Sequence, residues 1–201
     1  MNGLSIDFTS GAVAHRRRFG GGRGQALARA VGMKAGRTPA VVDATAGLGR
    51  DAFLLASLGA RVTLIERCQP VHAALTAALE RARSHDETRD IAARMTVVHG
   101  DARFLLPDLE PEVVLIDPMH PPRRTRALVK QPMRRLREIV GNDTDARALI
   151  ETALGAAHNR VVVKWPRKAA LPDGLPAPSH RITGKTTRFD VFMRDGFTRD
   201  G

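Results

Sequence analysis

An open, doubly wound α/β fold finished by an antiparallel hairpin is predicted by three observations. First, five short apolar runs, Ala40–Asp43, Arg61–Ile65, Met95–His99, Val113–Asp117 and Arg160–Lys164, alternate with helical patterns. Runs rich in Val, Ile and Leu suit parallel strands covered on both faces. Second, Gly47 and Gly49 come soon after the first run and lead into a helix, as a sharp strand-to-helix turn requires. Third, the tail holds two more strand patterns, His180–Thr183 and Arg188–Met193, joined at Gly184-Lys185 with no room for a crossover helix. Those two strands must run antiparallel to each other.

The elements follow in order. Leu4–Phe8 and Ala12–Arg18 read as a small hairpin before a helix near Arg23–Val31. Together they form a basic segment over residues 1–36, packed on a domain spanning 37–201. Helical patterns cover Arg50–Leu58, Val71–Arg83, Ala102–Leu106, Pro132–Val140 and Asp143–Ala157. Pro70 opens the second of them at a favoured N-terminal position, and Asp143 and Thr144 are candidate caps for the last. Ala170–Ser179, with Pro172, Pro176 and Pro178, is a loop. Trp165 reads as a half-buried loop anchor, with stacking on RNA as the alternative. Parallel strands finished by a reversed hairpin strand make the Rossmann-like sheet of class I methyltransferases.

A chain of 201 residues can fill one core. No apolar run reaches the roughly 18 residues of a membrane span, and Met1–Phe8 lacks the basic flank and apolar stretch of a signal peptide. The single cysteine, Cys68, excludes an internal disulfide framework and fits a reducing, cytoplasmic setting. Net charge is +11, and the positive side chains cluster. No acid occurs from Phe8 to Val42, where Arg16, Arg17, Arg18 and Arg23 stand, nor from Arg123 to Arg137, where Arg123, Arg124, Arg126 and Lys130 stand. Such runs attract a phosphate backbone; the plainer alternative is a solvated arginine-rich surface.

In an open α/β sheet, ligands bind beyond the carboxyl ends of the strands. Four acids occupy those ends here: Asp43, Glu66, Asp101 and Asp117. Any of them alone is as readily a helix cap or a surface residue. Gathered together, they would repel one another unless a ligand satisfied them. The spacing D-x-x-x-G-x-G from Asp43 to Gly47 and Gly49 suits a cationic amino-acid ligand, S-adenosyl-L-methionine, better than a pyrophosphate. Asp43 would lie near its aminoacyl part, Glu66 would accept the ribose hydroxyls, Asp101 the adenine amino group, and Asp117 would face the methyl. The rival is a nicotinamide site, since Gly47 to Ala52 also fits G-x-G-x-x-A and Glu66 is suitably spaced. The intervening Ala44-Thr45-Ala46 and the antiparallel tail oppose it.

After the fourth strand comes Asp117-Pro118-Met119-His120-Pro121-Pro122, similar to the D/N-P-P-aromatic motif of amino-group methyltransferases. An exocyclic base amine is a weak nucleophile because its lone pair is delocalised into the ring. A carboxylate and the Pro118 carbonyl, accepting its two N–H bonds, turn that lone pair toward the methyl. His120 holds the stacking position usually given to Phe or Tyr, and a neutral imidazole stacks too. The histidines and Cys68 lack metal-ligand spacing, so no metal is expected.

The segments Ala14-His15-Arg16-Arg17-Arg18-Phe19-Gly20-Gly21-Gly22-Arg23-Gly24 and Val42–Phe53 resemble the RsmJ (YhiQ) family of bacterial small-subunit ribosomal RNA guanine-N2 methyltransferases. Further matches are Glu66-Arg67, Asp117-Pro118-Met119, Ala127-Leu128-Val129-Lys130, Val161-Val162-Val163-Lys164 and Arg188-Phe189-Asp190. The resemblance implies transfer from S-adenosylmethionine to a guanine N2 of 16S rRNA, on naked RNA or the small subunit. It places cofactor contacts on Arg50 and Asp51, Glu66 and Arg67, Asp101 and Ala102, and Asp117. Family members carry a further N-terminal portion and often Phe at position 120. Other readings are amino-methylation of DNA or a protein glutamine, and an RNA-binding module without catalysis.

Overall fold

The computed structural model describes residues 4–9, 22–118 and 145–194. Seven strands, β1 (Val41–Asp43), β2 (Val62–Glu66), β3 (Met95–His99), β4 (Val113–Ile116), β5 (Arg160–Pro166), β6 (His180–Thr183) and β7 (Thr187–Met193), form one sheet. Their order is β3-β2-β1-β4-β5-β7-β6. The first five pair in parallel, while β7 runs antiparallel to both β5 and β6. The chain therefore reverses direction of travel at β1, between β2 and β4, and opens a crevice at the strands' carboxyl ends.

Among the described residues six α-helices flank the sheet: α1 (Ala26–Ala30), α2 (Arg50–Ser57), α3 (Gln69–Arg83), α4 (Arg89–Ala92), α5 (Ala102–Leu109) and α6 (Ala146–Ala156). The strands alternate between two cores, as the period of two dictates. Val41, Leu64, Val113, Leu115 and Val162 pack toward α1, α2, α3 and α4. Val42, Ile65, Val114, Ile116, Val161 and Val163 pack toward α5 and α6. Strand β4 is apolar throughout because both its faces are covered, and among the described strands only β3 and β6, at the sheet edges, carry exposed residues.

Several expectations change in detail. Leu4–Phe8 is not a hairpin strand: no strand is assigned there, and it lies along the helical layer with Ile6 and Phe8 buried. Phe8 stacks on Phe53 at 4.8 Å, and Arg81 Nη2 donates to the Ile6 carbonyl at 2.7 Å. The alternating pattern is real, but helices rather than a neighbouring strand receive it. The Arg23–Val31 helix divides into a 3-10 turn at Gly22–Gly24 and the short α1. Helix α4 was not foreseen, and α5 continues past Leu106 through Pro107. Asp145, not Asp143 or Thr144, holds the N-cap position of α6, and it makes no side-chain cap bond. The Ala12–Arg18 arm, the Pro132–Val140 helix and the Asp143-Thr144 pair lie outside the described residues.

The loop after β5 is tied down as the sequence suggests. Trp165 is buried and its Nε1 donates to the Ala170 carbonyl at 2.8 Å. Arg188 Nη1 donates to the carbonyls of Pro166, Arg167 and Ala169. The fully buried Asp190 accepts from both Arg188 and Arg181, so the hairpin is pinned to the loop by ionic hydrogen bonds.

Candidate active site

A cavity of about 400 Å³ opens at the carboxyl ends of β1, β2, β3 and β4, within the size range of small-molecule sites. Asp43, Gly47, Arg50, Asp51, Glu66, Arg67, Asp101, Ala102 and Asp117 all line it. The four strand-end acids and the residues the resemblance singled out thus converge on one wall. Gly49 sits at the N-cap of α2 with φ +65°. A Cβ there would approach Leu75 Cδ2 to 2.9 Å and Phe8 Cζ to 3.0 Å, so both space and backbone require glycine.

Glu66 organises the glycine turn. Its Oε2 accepts from the Gly47 amide at 3.0 Å and its Oε1 from the Cys68 amide at 2.8 Å. A carboxylate oxygen can accept more than one hydrogen bond, so holding the turn is compatible with accepting from a ligand hydroxyl. Asp43 is buried and accepts from the Thr45 amide at 3.1 Å. Burial first, then the charges of Asp51 and Asp117, push its pKa up to about 7 against the Thr45 bond and Lys164.

The sign of the resulting pH dependence follows. Between its ordinary value of 3.8 and about 7, native Asp43 holds a proton that the unfolded chain has released. Stability from this group is complete below the lower value and is lost as pH rises through the upper one. Replacing Asp43 by Asn removes that titration. Thermal melts of the ligand-free variant between pH 4 and 7 are expected to decline less than those of the wild type, by about 5 °C. An equal decline in both proteins would contradict it.

Asp101 is first of all a helix cap. Its Oδ1 accepts from the Arg103 amide at 2.9 Å, and the Arg103 guanidinium grips both oxygens, down to 2.6 Å. The hydrogen bond from Arg103 holds its pKa below the usual range. Arg103 also pairs with Asp145 at 3.0 Å, and Arg67 with the same carboxylate at 2.7 Å. The end of the cavity around Asp101 is therefore walled by an ion network, and Asp101 lines it with a carboxylate already engaged.

At the other end, the Asp117 amide donates to Thr45 Oγ1 at 2.6 Å. Lys164 Nζ lies 2.7 Å from Asp117 Oδ2 and 2.7 Å from Asp51 Oδ2. Desolvation raises the pKa of Asp117, whose side chain is 41% exposed, and Asp51 adds to it, while Lys164 opposes both. For Lys164, desolvation is outweighed by the two carboxylates, and its pKa rises. Sequence reasoning noted Lys164 only as a family match and gave Thr45, Arg103 and Asp145 no role. Two predicted strands, Val113–Asp117 and Arg160–Lys164, end at these residues, and the structure, pairing Ile116 with Val163 in parallel, sets Asp117 and Lys164 side by side.

Of the remaining site residues, Pro118 is buried at the end of β4, and Met119 and His120 lie outside the described residues. So do Arg16, Arg17, Arg18, Arg123, Arg124, Arg126 and Lys130. Arg23 is exposed, but its guanidinium reaches inward, to the Lys34 carbonyl at 2.8 Å, Thr38 Oγ1 at 2.9 Å and the Leu58 carbonyl at 3.3 Å. In the structure it ties these groups together. Among the described residues no helix is long and apolar enough to cross a membrane, and no group of three or more His, Cys, Asp or Glu is arranged to hold a metal ion.

The sheet order with its antiparallel seventh strand, and a glycine turn anchored by an acid at the end of β2, define a class I S-adenosylmethionine-dependent methyltransferase. The donor set fits that cofactor: a buried acid for an ammonium, an acceptor pair for ribose and glycines for close approach. Comparison with known proteins agrees. Residues 1–194 match a family described as "Putative SAM-dependent methyltransferase". A protein of Brucella anthropi named ribosomal RNA small subunit methyltransferase J is 59% identical over 192 residues, covering 95% of this chain and 94% of its own. The protein of that name from Agrobacterium fabrum is 58% identical over 196 residues, covering 97% and 94%. Among solved structures, a SAM-dependent methyltransferase from Neisseria gonorrhoeae superposes with a TM-score of 0.75 at 38% identity, over 98% of this chain and 76% of that one. The chain belongs to the ribosomal RNA small subunit methyltransferase J family. The nicotinamide alternative falls with it.

Proposed function

We propose that this enzyme methylates the exocyclic N2 of a guanosine in 16S ribosomal RNA, acting in the cytoplasm on naked RNA or the small ribosomal subunit. The observation that carries the reading is Asp117 followed by Pro118 at the end of β4, on the wall of the cofactor cavity. Relatives named for small-subunit ribosomal RNA support the substrate class. The net charge of +11 supports a polyanionic partner, and the resemblance of the Asp117-Pro118-Met119 segment supports the amino acceptor.

When bound, S-adenosylmethionine supplies a methyl on a sulfonium; the carbon–nitrogen bond forms as the carbon–sulfur bond breaks, and sulfur keeps the electron pair. The chain's residues orient and desolvate. Asp43 would take the ammonium side of the cofactor, Glu66 would accept from the ribose hydroxyls, and the Asp101–Ala102 turn would border the adenine. Asp117 accepts one N–H of the target amine and the Pro118 carbonyl the other, so that the lone pair points at the methyl. The nitrogen sheds its surplus proton to Asp117 or to solvent. A base inside a helix cannot reach this cavity, so the target is taken unpaired or flipped out.

Incubation with methyl-labelled cofactor and immature small subunits, naked 16S rRNA or DNA tests the proposal. Label is expected in the RNA-containing samples, and nucleoside digestion should return N2-methylguanosine. Label in DNA alone, or at a different base position, would overturn it.

A further inference from the structure

We infer that Lys164 is a positioning residue for the transfer: its ammonium, bridging Asp51 and Asp117, occupies Oδ2 of Asp117 and leaves Oδ1 to accept the target amine. This rests on the reading of Asp117 given above. The geometry is specific. Nζ reaches both carboxylates at 2.7 Å, and the Lys164 side chain is only 23% exposed. Among the described residues, no further bond reaches Asp117 Oδ1.

The groups facing this spot are Asp43 from β1, Asp51 from the first turn of α2, Asp117 from the end of β4 and Lys164 from β5. Three carboxylates so close cannot all stay ionised without a cation. Desolvation and Asp51 both favour protonated Asp117, and Lys164 is the group that opposes them. A protonated Asp117 would offer a donor where the amine needs an acceptor. The bridge therefore does two things for the reaction. It keeps Asp117 an acceptor at neutral pH, and it fixes which oxygen is free. The same ammonium joins Asp51, in the first turn of α2, to Asp117 at the end of β4.

The test compares Lys164→Gln, Lys164→Met and Lys164→Arg with the wild type, each first checked by thermal melting and by calorimetry with S-adenosylhomocysteine. With cofactor and RNA saturating, removal of the charge is expected to lower kcat at pH 7 about tenfold. It should also displace the acid limb of the pH–rate profile upward by about one unit. Lys164→Arg should keep the limb in place. Calorimetry across pH reads Asp43 separately, and His120 is common to all the proteins. In the apo state, carbon NMR of carboxyl-labelled aspartate should show Asp117 titrating higher in Lys164→Gln, in step with the displaced acid limb; a merely structural lysine would leave that limb in place. If Lys164→Met does not fold, Lys164→Gln carries the comparison. An unmoved limb and an unmoved Asp117 titration in a folded neutral variant overturn the inference. Full activity of Asp117→Ala would instead overturn the reading on which it rests.

Discussion

Asp117→Ala is expected to lower kcat for methyl transfer by about a thousandfold while RNA binding persists. The exocyclic amine has little nucleophilicity of its own, so the enzyme's contribution lies in holding its two N–H bonds on acceptors and excluding water. Deleting the carboxylate removes one acceptor and leaves the Lys164 ammonium facing the substrate. Asp117→Asn gives a sharper result. In the related motif Asp and Asn both serve, but here Nζ stands 2.7 Å from Oδ2. An amide must turn its oxygen to that ammonium, which presents its NH2 to the target amine, donor against donor. Asn is therefore expected to be nearly as inactive as Ala, and the double variant with Lys164→Met to regain about tenfold, because its amide is free to flip. Single-turnover assays beside filter binding of the RNA would show it. Asn at wild-type rate would contradict the account of this acid.

The parts of this molecule most legible in the sequence are those governed by local rules. Val113–Ile116 reads as a strand buried on both faces because it is apolar throughout, and it is. The antiparallel tail follows from a turn too short for a crossover, and β7 pairs accordingly with β5 and β6. Asp43, Glu66 and Asp117 were found because strand ends meet at one rim. What escaped were partners set by three-dimensional neighbourhood. Arg103 satisfies Asp101 from two residues on, yet its second partner, Asp145, is brought near only by the packing of α5 on α6. Arg23 lies in an acid-free basic run, the pattern of a phosphate contact, but the backbone carbonyls it binds belong to residues 34 and 58. Charge patterning cannot tell a solvated arginine from one that ties backbone together.

Loss of cofactor binding, by about a hundredfold or more, is the expected result of Glu66→Ala. Two effects combine. The carboxylate offers charged acceptors to the ribose hydroxyls, and it also holds the Gly47 and Cys68 amides at 3.0 and 2.8 Å. Without it, the Gly47 amide in the cavity lining and the Cys68 amide lose their acceptor, each at a cost of about 1–3 kcal/mol, and the glycine turn loses its anchor to β2. Glu66→Gln separates the two effects only in part, since its NH2 must meet one of those N–H groups head-on. Calorimetry with S-adenosylhomocysteine should show the weakened affinity in both variants, and thermal melts should fall for both even without ligand. The second result distinguishes this acid from a ribose contact standing free in the pocket, whose removal would leave the apo melt unchanged. Wild-type affinity in Glu66→Ala would mean that the acid at the end of β2 serves the fold alone.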